Sequence, residues 1–271
     1  MRLFFILLTF CASAAQATPK VLTDIAPVQA IVADVMGDLA TPDVLLPPFA
    51  DAHDYALKPS DARRVANAEL FIWVGPMLTP WLEKPLQALG SDTPPLVLSS
   101  HEDPHEWLDP DYAADWAVTI ADRLAKDDPE NAATYLANAE AAIARYGMLK
   151  TEILQMLDPV KDNALLWPHD GFRFFEAAFE LNAVGAIADA HAHAPGPAHI
   201  AELVDIVAND EVFCILLDAE VGEDWLTPLG DLGDIKTAVI DPLGNDIAQG
   251  AGFYTQLIRD LGEAVSNCLA P

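Results

Sequence analysis

The chain alternates short apolar segments with helix-like segments in two rounds, and one long segment free of internal proline separates the rounds. The predicted strands cover residues 20–23, 43–46, 69–75, 96–100, 164–167, 183–188, 212–217 and 237–240. The predicted helices between and after them cover residues 27–37, 59–68, 79–89, 172–179, 199–208, 223–229 and 252–269. Strands that alternate with helices are typical of parallel sheets. The expected fold class is therefore α/β, with two lobes that each hold a small, mostly parallel sheet flanked by helices.

The long segment, residues 128–159, is rich in Ala, Leu and Glu, and no proline lies between Pro129 and Pro159. This composition favours a helix, and Asp128 followed by Pro129 is typical of a helix start. About 28 helical residues would span about 40 Å, the length of a whole lobe. We therefore expect an N-terminal lobe over residues 18–127, a rigid linking helix over 128–159 and a C-terminal lobe over 160–271, with a cleft between the lobes.

Residues 1–17 have the pattern of a secretory signal peptide. Arg2 precedes an apolar run of about ten residues, and Ala15-Gln16-Ala17 provides small residues for cleavage. The run is too short to span a bilayer as a mature helix. Cys11 would suit a lipoprotein, but the Leu-Thr-Phe before it fits that processing poorly. We predict cleavage after Ala17 and export of a soluble mature protein.

The overall charge and the cysteines limit the kinds of partner and of compartment that the chain can have. A formal charge of −28 repels nucleic acid and anionic membranes, although acid on an exported protein also simply keeps it soluble. A hydrophobic content of 52% is ample for packed cores. After loss of Cys11, only Cys214 and Cys268 remain in an oxidising compartment, which predicts one disulfide. The alternative is two separate buried thiols.

Several chemically reactive side chains follow predicted strands. His53 comes after the second strand, His105 after the fourth, His169 after the fifth and Asp241 after the last. Ligands of open α/β sheets bind outside the carboxyl ends of the strands. A single histidine is more often structural than ligating, but four such groups at equivalent positions favour a metal site. Three imidazoles and one carboxylate suit a borderline divalent ion.

Four segments resemble the signatures of the solute-binding proteins of ABC importers for zinc and manganese. These segments are "LLPPFADAHDYALKPSDARRVANAELFIWVG", "DPHEWLDP", "PHDGFRFFEAAF" and "IDPLG". They occur in the family's order and span nearly the whole chain after residue 17, and zinc-type members are the most similar. The resemblance implies one Zn²⁺ held between the lobes by His53, His105 and His169, with Asp241 as candidate carboxylate. It also implies a monomeric receptor that serves a membrane ABC permease with its ATPase, and no enzyme activity.

The chain departs from the family pattern at three places. Ala52 stands where some zinc-type members have Glu, so the fourth coordination position falls to Asp241 or to water. Manganese-type members replace the third histidine with Glu, so His169 favours zinc, with manganese or broader transition-metal binding as the alternative. The long loop rich in His and acid that many zinc-type members carry is reduced here to His101-Glu102-Asp103.

Other residues near the expected ligands have two possible roles. Asp54, Asp109 and Asp170 lie close to the ligands in sequence and could orient their rings, or could equally cap their own loops. His191 and His193 lie in a loop bounded by proline, and either capture zinc weakly at the rim of the cleft or are simply solvated.

The predicted ligands also give an expectation for pH dependence. Zinc binds neutral imidazole, so protons compete with the ion for each histidine. Free imidazole has a pKa of about 6.5, so zinc affinity is expected to fall as the pH drops through about 6.5.

Two other classes of protein are less well supported. The segment His101-Glu102-Asp103-Pro104-His105 matches the zinc-protease motif H-E-x-x-H, but that chemistry requires a helix and Pro104 opposes one. Neither a nucleophile elbow nor a glycine-rich phosphate loop is present. A metal-independent adhesin or other solute binder would make the histidines coincidental, and its stability would not change between chelator and zinc.

Overall fold

Two four-stranded parallel sheets organise the protein. The structure is a computed structural model that describes residues 18–88, 94–209, 212–218, 223–230, 232–250 and 252–271, so the predicted signal peptide lies outside the described residues. The first sheet contains β1 (Val21–Thr23), β2 (Asp43–Val44), β3 (Leu70–Trp73) and β4 (Leu96–Val97) in the order β2-β1-β3-β4. The second contains β5 (Ala164–His169), β6 (Ala183–Ala188), β7 (Val212–Leu217) and β8 (Lys236–Val239) in the order β6-β5-β7-β8. The predicted α/β fold with two lobes is confirmed.

Helices flank both sheets. They are α1 (Ala26–Met36), α2 (Pro59–Asn67), α3 (Glu83–Ala88), α4 (Pro110–Asp127), α5 (Ala132–Leu157), α6 (Arg173–Phe179), α7 (Pro197–Asn209) and α8 (Phe253–Leu269). The predicted helix over residues 79–89 is a 3-10 turn, Pro80–Leu82, followed by α3, and Leu89 lies outside the described residues. The predicted helix over 223–229 is a 3-10 helix that contains Pro228, whose missing N–H disfavours an α-helix.

The long linking helix is present as α5, but it begins later than predicted. Helix α4, which ends at Asp127, was not predicted. The linking helix was predicted to start at Asp128, but it starts at Ala132. Asp128 is buried in the turn between α4 and α5, where its carboxylate accepts hydrogen bonds from Asn131 Nδ2 and Tyr135 Oη, both at 2.8 Å. Asp128 therefore stabilises a helical hairpin instead of starting one helix.

One continuous hydrophobic core joins the lobes. It extends from α1 and α4 across α5 to α8, so the last helix of the chain packs against the helices of the first half. Tyr254 on α8 packs against Tyr146 of α5 with ring centroids 4.5 Å apart, and its hydroxyl donates to the carbonyl of Trp107 at 2.8 Å. The two sheets are therefore fixed to one body rather than connected by a flexible segment.

The predicted disulfide between Cys214 and Cys268 is present. It ties β7 to the C-terminal end of α8, with the two Cα atoms 5.5 Å apart, and both cysteines are buried. None of the helices formed by the described residues is both long and apolar enough to cross a membrane.

Candidate metal centre

Three histidines from distant parts of the chain meet between the lobes. One ring nitrogen from each of His53, His105 and His169 lies within 4.8 Å of the others. The ring centroids are 5.4 Å apart for His53 and His105, 6.2 Å for His53 and His169, and 5.3 Å for His105 and His169. Within the described part of the chain, this is the one group of its kind.

Local hydrogen bonds hold each of these histidines in place. Asp51 Oδ1 accepts the backbone N–H of His53 at 2.6 Å, and the carbonyl of Ala52 accepts Trp81 Nε1 at 2.8 Å, so the loop after β2 is anchored directly before His53. Asp103 Oδ1 accepts the backbone N–H of His105 at 3.1 Å. His169 is the last residue of β5, which makes it the most rigidly placed of the three.

Two carboxylates, partly exposed Asp103 and buried Asp218, determine which nitrogen of two rings is left for a ligand. Asp103 Oδ1 lies 2.8 Å from His105 Nδ1, and Asp218 Oδ2 lies 2.9 Å from His169 Nδ1. Each carboxylate holds the proton on Nδ1 and leaves Nε2 as the free donor atom. His169 Nε2 and His53 Nδ1 are buried without a hydrogen-bond partner among the described residues. Buried polar atoms without partners are costly, and a bound cation would satisfy them.

The backbone of Gly171 lies directly over two of the rings. A Cβ atom at this position would come 2.3 Å from His169 Nε2 and 2.8 Å from His105 Cε1. Any side chain at residue 171 would therefore displace the tips of the imidazoles. The glycine lets the loop after β5 close over the cluster without entering it.

The surroundings favour the neutral form of two of the three histidines. Burial, together with the nearby His105 and His169, lowers the pKa of His53 to about 3. Burial also lowers the pKa of His105, although its hydrogen bond to Asp103 acts in the opposite direction. Because zinc binds neutral imidazole, these rings are already in the protonation state that the ion requires.

Asp241 lies near the histidines but outside the group of three. Its oxygens accept hydrogen bonds from the N–H groups of Leu243, Gly244 and Asn245 and from Asn245 Nδ2, at 2.5–3.0 Å. The carboxylate therefore stabilises its own turn. Asp241 also lines a cavity of about 230 Å³ together with Asp51 and Asp218, so three acids face the same space.

The structure places the three predicted ring-orienting carboxylates elsewhere. Asp54 is exposed, and its backbone N–H donates a hydrogen bond to Asp51 Oδ1 at 3.2 Å. Asp109 caps α4 by accepting the N–H of Asp111 and forms an ion pair with Lys150 at 3.0 Å. Asp170 forms an ion pair with Arg173. All three therefore bond to groups other than the ligand rings.

The two carboxylates that do contact the rings were missed by the sequence analysis. Asp218 directly follows β7, so the strand-end rule that selected His169 and Asp241 also applies to it. Asp103 lies two residues before His105 in a turn, and no periodic pattern distinguishes it from Glu102.

The histidine loop after β6 reaches the cluster from the solvent side. The ring of His191 lies 5.5 Å from that of His53, and the ring of His193 lies 5.8 Å from that of His191. His191 and His193 are both exposed. Two of the three histidines in this segment therefore lie next to the candidate centre rather than away from it.

Comparisons with known proteins agree with this geometry. A family model described as "Zinc-uptake complex component A periplasmic" matches residues 21–268. The high-affinity zinc uptake system protein ZnuA of Paracoccus denitrificans is 31% identical and covers 93% of this chain and 92% of its own length. Two solved structures, each 22% identical with a TM-score of 0.81, share the fold. One is a zinc-bound ZnuA deletion mutant that covers 94% of this chain and 99% of its own, and the other is the laminin-binding adhesin Lmb of Streptococcus agalactiae, which covers 93% and 100%. The match over nearly the whole chain shows that the protein belongs to the family of periplasmic component A proteins of zinc-uptake complexes.

Proposed function

We propose that this protein is a periplasmic receptor that captures one Zn²⁺ ion between its lobes and delivers it to an ABC permease driven by an ATPase. The observation that carries the proposal is the group of three imidazoles, two of which have a buried nitrogen without a partner among the described residues. Family membership supports the permease as partner, since the family is a component of an uptake complex. Residues 1–17 act as the cleavable export signal, and the mature protein works as a monomer.

The division of the chain follows from the same proposal. Residues 18–127 form the N-terminal lobe, 128–159 the linking segment and 160–271 the C-terminal lobe. The separation of the two sheets on either side of α5 supports this division. Each lobe supplies part of the ligand set, so the ion lies where the lobes meet.

The metal ligands are His53, His105 and His169, with the fourth position taken by Asp241 or by water. Asp241 can bind the ion while it keeps its backbone hydrogen bonds, because ligating carboxylates are commonly hydrogen-bonded in turn. Nitrogen donors suit zinc better than manganese, which prefers oxygen. A catalytic zinc would need an open position and a nearby base, whereas a transport site is best filled by protein ligands.

The H-E-x-x-H segment does not build a protease site. The described backbone is not helical over residues 101–105, and a 3-10 turn, Glu106–Leu108, follows. His101 lies 3.3 Å from Glu106 Oε1 and contacts the rings of Tyr112 and Phe174, outside the group of metal ligands. The two histidines of the motif therefore do not share an ion, and the protein is a receptor rather than an enzyme.

Calorimetric titration of metal-stripped protein tests the proposed function. We expect one tight site for Zn²⁺, comparable or tighter binding of Cu²⁺ and much weaker binding of Mn²⁺, in the usual order for nitrogen-rich sites. Preferred binding of Mn²⁺ would support the manganese alternative. Unchanged stability between chelator and zinc would instead indicate a metal-independent binder.

We predict that zinc affinity depends less on pH than free imidazoles would make it. Three free imidazoles would weaken binding by about 1000-fold at pH 5.5, one unit below their pKa of about 6.5. The fold lowers the pKa of His53 to about 3 and also lowers that of His105, so protons compete less well at these rings. Competition titrations at pH 7.5 and 5.5 should therefore show a fall well below 1000-fold. A full 1000-fold loss would contradict the lowered pKa values of His53 and His105.

The same shifts predict how the stability of the metal-free protein varies with pH. Because His53 and His105 have lower pKa values in the fold than in the unfolded chain, the unfolded state binds more protons. Stability from these groups is complete above about pH 6.5 and is lost as the pH falls toward about 3. Denaturant titrations of stripped protein at pH 7 and pH 5 should show the loss, and His53→Phe should reduce it.

We predict that the two carboxylates that contact the rings contribute strongly to zinc binding. Asp103→Ala and Asp218→Ala should each weaken zinc binding by about 10- to 100-fold, because each removes the acceptor that orients a ligand ring. Asp218→Asn keeps an acceptor oxygen and should lose less. Asp170→Ala is the matched control, since Asp170 pairs with Arg173 on the surface, and its affinity should be unchanged. Equal losses in Asp170→Ala and Asp218→Ala would contradict the assignment.

The proposed function extends to weak capture of zinc by His191 and His193 at the rim. The ring contact of His191 with His53, and that of His193 with His191, support this role. Replacement of both histidines by alanine should remove a weak second binding event from the titration. An unchanged number of bound ions would contradict the capture of a separate second ion.

A further inference from the structure

Five imidazole rings form a continuous series from solvent to the candidate metal centre. The ring centroids are 5.8 Å apart from His193 to His191, 5.5 Å from His191 to His53, and 5.4 Å from His53 to His105. Exposure falls along the series, since the side chain of His193 is 71% exposed and His105 and His169 are 3% and 2% exposed. The series therefore has an outer end, a middle and a buried end.

The spacing of the series matches the distance that one zinc ion can bridge. Zinc lies about 2.0–2.1 Å from an imidazole nitrogen, and adding about 1.2 Å to the ring centre gives about 3.2 Å from ion to ring centre. Two imidazoles on one tetrahedral ion then have centres about 5.2 Å apart. The steps of 5.8, 5.5 and 5.4 Å are close to this value. Small side-chain rotations would let one ion bind two successive rings at once.

A carboxylate holds the outer rings in position. Asp189 Oδ1 accepts the N–H groups of His191 and His193, both at 3.0 Å, and Asp189 Oδ2 lies 2.9 Å from His193 Nδ1. Ala192 between them has a φ of +54°, which residues other than glycine rarely adopt. No described residue bonds a ring nitrogen of His191, so in the neutral ring either nitrogen can carry the lone pair that binds the ion.

We propose that His191 is a transfer ligand, which takes the incoming ion from His193 and passes it to His53 before the ion reaches His105 and His169. This inference rests on the proposed zinc-binding function. His191 does not belong to the group of three histidines whose ring nitrogens lie within 4.8 Å of one another. It therefore contacts the ion in transit and not in the final complex. The ion exchanges one imidazole for the next and never depends on water alone for its ligands.

A transfer ligand has a kinetic signature that separates it from a permanent ligand. A residue that touches the ion only in transit lowers the barrier equally in both directions. Its removal therefore lowers the rate constants of association and dissociation by the same factor. Kd is unchanged, because it is the dissociation rate constant divided by the association rate constant. Removal of a permanent ligand instead speeds dissociation and weakens binding.

Stopped-flow fluorescence can measure both rates on the intact protein. The ring of Trp107 lies 5.2 Å from that of His105, which provides an intrinsic signal for occupancy of the buried site. Association is followed after mixing with Zn²⁺, and dissociation after mixing the loaded protein with excess chelator. His191→Ala should slow both rates by about tenfold, the lower end of the range over which association rates of related variants differ. His193→Ala should act in the same direction with a smaller effect.

His199→Ala is the matched control. His199 belongs to the same histidine-rich segment, but its Nε2 forms a hydrogen bond with the carbonyl of Ala186. Its ring does not contact any of the five described rings of the series. Its rates should equal those of the unmodified protein. Unchanged rates in His191→Ala would overturn the proposal, and so would faster dissociation with weaker binding, which would make His191 a permanent ligand. Failure of the unmodified protein to bind zinc would refute the proposed function itself.

Discussion

His169→Ala is expected to weaken zinc binding by more than about 100-fold, the upper end of the loss caused by removing a ring-orienting neighbour. His169 is the last residue of β5 and contributes a buried Nε2 without a partner. The remaining rings, His53 and His105, both come from the N-terminal lobe. The substitution therefore removes the only histidine ligand that the C-terminal lobe supplies in the proposed set.

Two further variants separate loss of the ligand from damage to the fold. His169→Ala also leaves the buried Asp218 without its 2.9 Å contact to the ring, so some loss of stability is expected in the metal-free protein. His169→Gln keeps an amide donor for Asp218 but offers a poor zinc ligand, and should bind zinc almost as weakly with less loss of stability. His199→Ala removes a histidine outside the cluster and should bind zinc normally.

Calorimetry on metal-stripped samples gives the affinities, and thermal unfolding with and without zinc gives an independent measure. Ligand that binds only the folded state stabilises it in proportion to the logarithm of its concentration over Kd. His169→Ala should therefore show a much smaller zinc-induced rise in Tm than the unmodified protein. An equal rise in Tm would place the ion elsewhere, for instance on the His191 loop.

The position of the three histidines could be predicted because strand ends in a parallel sheet converge. His53 and His105 follow strands of one sheet, and His169 ends a strand of the other. The strand-end rule selects residues by topology, so errors of a few residues in the predicted strand bounds do not affect it. The resemblance to a metal-binding family added which of these histidines act together.

The carboxylates around the rings could not be predicted by adjacency. Asp54 and Asp170 follow His53 and His169 in sequence, yet Asp54 bonds within its own loop and Asp170 pairs with Arg173. The acid that reaches the ring of His169 is Asp218, 49 residues away, directly after the neighbouring strand β7. Contacts of this kind depend on strand order, which was not predicted from the sequence.

The start of the linking helix was misplaced for a related reason. Asp128 followed by Pro129 is a good local helix start, but the same aspartate is also suited to a turn between two helices. Its buried contacts with Asn131 and Tyr135 stabilise the turn, and they arise only when α4 packs against α5. Tertiary packing therefore decided between two local structures that the sequence allowed equally.

Loss of the Cys214–Cys268 disulfide is expected to lower the free energy of unfolding by about 4 kcal/mol, or Tm by roughly 10 °C for a chain of this size. The bridge closes a loop with a sequence separation of 54, which restricts the unfolded chain. The double variant Cys214→Ser/Cys268→Ser, studied by denaturant titration, should match the unmodified protein in reductant. Zinc affinity should be retained, because Cys214 lies near the start of β7 whereas Asp218 follows its carboxyl end. A change below about 1 kcal/mol would mean that the shared core around α8 fixes the C-terminal helix without the bridge.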